Sequence, residues 1–95
     1  MNYKIDYLLK YISNDTYKKI VNSKGEYILE DLEDNRVDVD LNIRYLIKYG
    51  IKNIDGVVYD RLDDLLLGHN DFIERMEKYE QSLGRDGFIN MIENV

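Results

Sequence analysis

Ninety-five residues are enough for one small domain, and a chain of that size buries only about 60–65% of the surface its unfolded form exposes. A formal charge of −6 argues against a protein that coats itself in nucleic acid. The absence of cysteine removes a disulfide framework and a thiolate metal site, and no apolar run approaches the ~18–20 residues needed to cross a bilayer. The opening Met1-Asn2-Tyr3-Lys4-Ile5-Asp6 lacks the apolar core of a signal peptide, so the expected location is cytoplasmic. Nine tyrosines stand against no tryptophan and no proline, so turns fall to Gly, Asn, Asp and Ser.

Residues 3–12 read as a first helix, with Ile5, Leu8, Leu9 and Ile12 on one face. Asn14 or Asp15 offers a cap for a second helix holding Tyr17, Ile20 and Val21, which Gly25 ends. Tyr27, Ile28, Leu29 and Leu32 form an apolar patch long enough for a turn or two of helix. From Glu30 to Asp40 six carboxylates face Arg36 alone, the pattern of a solvated connector or of a docking surface. Val37, Val39, Leu41, Ile43 and Tyr45 alternate as a half-buried strand would. A helix from about Asp40 to Tyr49 is the preferred reading, with Ile43, Leu46 and Ile47 inward and Gly50 as its left-handed stop. Asn53 or Asp55 caps a helix with Ile54, Val57 and Val58, and Leu62, Leu65, Leu66 and Leu67 make a short apolar knot closed by Gly68. Asn70 or Asp71 starts a helix through Phe72, Met76, Tyr79 and Leu83 to Gly84. Asp86 caps a last one with Phe88, Ile89, Ile92 and Val95 inward.

These pieces repeat. At an offset of 38 residues Ile5 meets Ile43, Tyr7 meets Tyr45, Leu8 meets Leu46, and Tyr11 meets Tyr49. The units run over about 3–34, 40–69 and 70–95. The expected fold is therefore all-α: one domain, a small stack of about two and a half helix-turn-helix units forming a short solenoid-like bundle. The pattern Ile43-x-x-Leu46-Ile47-x-x-Gly50-Ile51, then Ile54-x-x-Val57-Val58, then Leu65-Leu66-Leu67, resembles the repeat of the mitochondrial transcription termination factor family. That resemblance implies triangular units of two helices and a short third, stacked into a curved solenoid that binds nucleic acid. Where the family places a proline before its closing leucines this chain has Asp63 and Asp64, and the family is long and basic. Only the architecture is carried over.

Two candidate surfaces follow. Tyr7, Tyr11, Tyr45 and Tyr49 lie one turn apart in each copy, either as core borders or as an aromatic ridge for a protein partner, with Glu30, Asp31, Glu33 and Asp34 as its acidic companion. The alternative is a nucleic-acid path along Lys10, Lys19, Arg44, Lys48 and Lys52, whose bland counterpart is a solvated helix face. Asp38-x-Asp40-x-Asn42 opens like a calcium loop, but Ile43 and Tyr49 stand where glycine and glutamate are required. His69, the single histidine, reads as a surface-loop residue. With no phosphate loop and no paired histidines, no enzyme, metal or cofactor is expected. The functional expectation is a non-enzymatic, acidic protein-interaction module, an inhibitor or adaptor, with self-assembly a further option.

Overall fold

A computed structural model of the chain describes residues 3–94; Val95, expected inward on the last helix, lies outside that range, as do Met1 and Asn2. The central element is α3, Arg36–Tyr49. It ends at Gly50, whose φ of 114° is a conformation that glycine adopts freely. The Gly50 N–H reaches the Ile47 carbonyl at 3.1 Å and the Ile51 N–H reaches Leu46 at 3.0 Å. These two reversed bonds satisfy carbonyls that the helix end would leave open, and Ile51 folds back into the core. Around α3 lie α1 (Asn14–Ser23), α2 (Glu26–Asp34), α4 (Ile54–Asp60), the single-turn α5 (Leu62–Leu65) and the long α6 (His69–Glu93). Among the described residues there is no strand, which removes the period-two reading of residues 37–45.

The acidic stretch is helical throughout except for a break at Asn35, and α3 starts four residues before the expected Asp40. Its register also differs. Val39, Asn42, Ile43 and Leu46 face the core, so Ile47 turns outward at 42% exposure. A polar residue on the inner face is what displaced the stripe read from the sequence.

Residues 3–12 form a single 3-10 turn, Asp6–Lys10, in place of the expected α-helix. Ile5 at its start offers no side-chain cap, and so short a segment does not offset the cost of nucleating an α-helix. At three residues per turn Ile5 and Leu8 share a face and are buried, while Leu9 rotates off it. Three caps also differ from expectation. Ser13, not Asn14 or Asp15, accepts the Thr16 N–H at 3.2 Å; α6 begins at His69 behind Gly68; and Asp86 lies within the first turn after the Gly84 break rather than ahead of it. Gly84, at φ 74°, kinks α6 as the expected stop, but the helix resumes directly, and Leu83 beside it is 47% exposed. Asn53 caps α4 as expected.

The 3-10 turn packs on α3, α3 on α6, α1 on α4, and α4 on α6. One hydrophobic core runs through the stack, from Leu8 and Ile20 through Ile43 and Val58 to Phe72 and Phe88, in a body measuring 42 × 25 × 20 Å. No described helix is long and apolar enough to cross a membrane.

Candidate interaction surface

Eight of the nine tyrosines pack against the core. The Tyr7 hydroxyl donates to the Leu32 carbonyl at 2.7 Å, closing one of the open carbonyls at the end of α2. Burial, reinforced by the Asp40 carboxylate, pushes its phenol well above the usual tyrosine range. Tyr11 donates to Asp40 Oδ1 at 2.6 Å. Tyr45 meets Phe72 edge-on at 5.8 Å, Tyr49 meets Phe88 at 4.8 Å, and the Tyr49 hydroxyl bonds Glu80. These four rings therefore border the core, and their hydroxyls at positions 7, 11 and 49 are engaged within the chain. Tyr27 is the exception. Its hydropathy groups it with the apolar patch, yet it stands 86% exposed on the outer side of α2.

From Tyr27 the outer face of α2 continues through Glu30, Asp31 and Asp34, at i+3, i+4 and i+7, all exposed. Glu33, of the same acidic group, turns inward and accepts the Lys4 backbone N–H at 2.9 Å. The sequence signal for this face was the spacing 27, 30, 31, 34, hidden because Tyr27 was counted with its apolar neighbours.

The basic candidates sit in different surroundings. Asp40 gathers two of them, Lys10 at 2.8 Å and Arg44 at 3.6 Å. Burial alone would raise the Asp40 carboxyl, but hydrogen bonds from Lys10 and Tyr11 outweigh it and hold the group below the ordinary aspartate range. Lys19 lies over the Tyr59 ring at 4.5 Å, Lys48 is exposed, and the Lys52 backbone N–H is held by Glu93 at 2.6 Å. Lys10 and Arg44, with Arg36, rim a shallow groove of about 340 Å³ between the 3-10 turn and α3. Its floor is Tyr7, Val37 and Leu41, and Val37 is 68% exposed.

Other polar clusters are structural. Asp55 accepts from Ser13 Oγ at 2.7 Å and Thr16 Oγ1 at 3.0 Å, tying α4 to the start of α1. Asp64 joins Arg61 at 3.4 Å and Arg75 at 2.9 Å. Asn42 is fully buried and bonds His69 Nδ1 at 2.8 Å; this histidine opens α6 half-buried, where the sequence reading had a surface loop. Among the described residues no group of three His, Asp or Glu side chains converges as a metal site. Set against models of protein families, curated proteins and solved structures, the chain matches none of them.

Proposed function

We propose that the protein is a non-enzymatic, all-helical protein-interaction module, an inhibitor or adaptor that docks through the outer face of α2 and the beginning of α3. One observation carries this reading: Tyr27 in the first turn of α2 and Val37 in the first turn of α3 are the two most exposed large hydrophobic side chains among the described residues, while every other tyrosine packs on the core. An exposed aromatic supplies large contact area at low conformational cost, the usual chemistry of an interface anchor. Glu30, Asp31 and Asp34 beside it add an acidic rim that steers a partner of complementary charge. The test is affinity capture with the intact chain alongside Tyr27→Ala/Val37→Ser. A protein recovered by the first and lost with the second supports the docking face; equal recovery by both, or none by either, refutes it.

The packing of the 3-10 turn on α3 and of α1 on α4 supports reading the chain as stacked units, since these are the elements the internal repeat pairs. The second reading is a nucleic-acid interface along Lys10, Arg44 and Lys48, of which Arg44 and Lys48 are exposed one turn apart on α3. That reading draws less support, because Asp40 neutralises part of the charge of Lys10 and Arg44. A gel shift at about 50 mM salt that Arg44→Glu/Lys48→Glu abolishes would favour it over the protein partner.

A further inference from the structure

We propose that the groove between the 3-10 turn and α3 receives helix α2 of a second copy of this chain. The inference rests on reading the protein as an interaction module and names the partner of that face.

The groove is chemically unlike the rest of the surface. On a chain of net charge −6, Lys10, Arg36 and Arg44 surround an apolar floor of Val37 and Leu41, with Asp40 as the single carboxylate among its lining residues. Arg44 keeps 64% of its side chain exposed and Lys10 59%, so both retain donors beyond their shared contact with Asp40. At about 340 Å³ the groove sits at the small end of ligand pockets and is open, which suits one or two side chains projecting from a helix better than an enclosed small molecule. Its matching occupant therefore carries an apolar or aromatic residue followed, one and two turns on, by carboxylates.

The outer face of α2 has that composition and that reach. Tyr27 is followed by Glu30 and Asp31, then Asp34, none of which makes an ion pair among the described residues. At the α-helical rise Tyr27 to Asp34 spans about 10.5 Å, and Arg36 to Arg44 spans about 12 Å. Laid parallel to α3, the stripe brings Tyr27 over Val37 at the Arg36 end of the rim, Glu30 and Asp31 towards Lys10, and Asp34 towards Arg44. Burying Val37 together with the Tyr27 ring removes from water the two most exposed large hydrophobic groups among the described residues. The attraction is local, acting within a Debye length of about 10 Å at 0.1 M salt, so it operates despite the like net charge of two copies.

Sedimentation equilibrium over a wide protein concentration range tests it. The intact chain should show a mass rising above the monomer with concentration at about 0.1 M salt, and association should weaken at about 0.5 M. Arg36→Glu/Arg44→Glu, which reverses the groove, and Glu30→Lys/Asp34→Lys, which reverses the stripe, should each weaken self-association at least tenfold while circular dichroism stays helical. Mixing the two variants should restore association, because the basic stripe of one then faces the acidic groove of the other. A strictly monomeric wild-type chain, association that neither reversal weakens, or a mixture that stays monomeric would overturn the inference. A monomer that still captures a different protein through Tyr27 overturns self-docking and leaves the interaction-module reading standing, so the two failures are distinguishable.

Discussion

Replacing Asn42 by alanine should destabilise the fold far more than an ordinary polar-to-alanine change. The residue is fully buried on the inner face of α3, and its Nδ2 donates to the carbonyls of Leu65 and Leu67, each at 2.9 Å. With both amide protons aimed at carbonyls, Oδ1 is an acceptor, so His69 donates from Nδ1 across 2.8 Å. One side chain thus ties α3 to the end of α5 and the start of α6. Alanine leaves two carbonyls and an imidazole N–H without their partner, at about 1–3 kcal/mol for each group that stays dry. Allowing for partial rehydration near His69, the loss should be roughly 2–5 kcal/mol, out of a total near 5–15 kcal/mol for a small domain. The melting temperature should fall on the order of 10–20 °C. Asn42→Asp separates hydrogen bonding from volume, because the side chain is nearly isosteric yet accepts only. It should cost as much as alanine near neutral pH and less as acidification protonates it. Urea unfolding followed by far-UV circular dichroism measures all of these. A loss below about 0.5 kcal/mol for Asn42→Ala would refute the bridging role.

Three further outcomes follow from the same contacts. Tyr7→Phe removes only the hydroxyl that closes the Leu32 carbonyl and should cost about 0.5–1.5 kcal/mol in urea unfolding, with no change in helical content. Hydrogen bonds from Ser13, opposed by burial and joined by Thr16, hold the Asp55 carboxyl below the ordinary aspartate range. A depressed carboxylate stabilises the fold above its unfolded pKa of about 3.9, and that contribution is lost as pH falls through the lower folded value. Asp55→Asn should therefore flatten that part of the acid-unfolding profile; a profile parallel to wild type there would contradict the linkage. Gly50→Ala forces a side chain into φ 114° and should cost about 1–3 kcal/mol in melting experiments, whereas an unchanged melting temperature would mean the turn relaxes freely.

Elements whose signal is local were readable from the sequence. Gly50 followed by Ile51 specified both the stop of α3 and the return of the chain into the core, and of the two caps read for α4, Asn53 or Asp55, Asn53 is the one in place. The apolar spacing at Ile20, Val57, Val58, Phe72 and Phe88 located core positions in the chain. What failed depended on partners distant in sequence. Nothing near Asn42 announces that its amide meets carbonyls 23 and 25 residues away, so the inner stripe of α3 was placed one position too far round, onto Ile47. The acidic run resembled a connector because the Lys10 and Tyr11 contacts that hold Asp40, and the His69 N–H that Asp38 accepts at 3.3 Å, come from remote segments. For the candidate surface, Glu30, Asp31 and Asp34 were legible as exposed charge. Tyr27 was not, because hydropathy ranks it with Ile28 and Leu29 and only the orientation of α2 on the core sends it outward.

Tyrosine nitration resolved by mass spectrometry, carried out on the free chain and on the complex it forms, tests the docking face most directly. In the free chain Tyr27 should react fastest of the nine, since the other eight lie against the core. In the complex Tyr27 should become the most strongly protected, with little change at Tyr45 or Tyr49. A Tyr27 that reacts no faster than its neighbours, or that reacts equally fast with the partner bound, would contradict a docking surface built on α2.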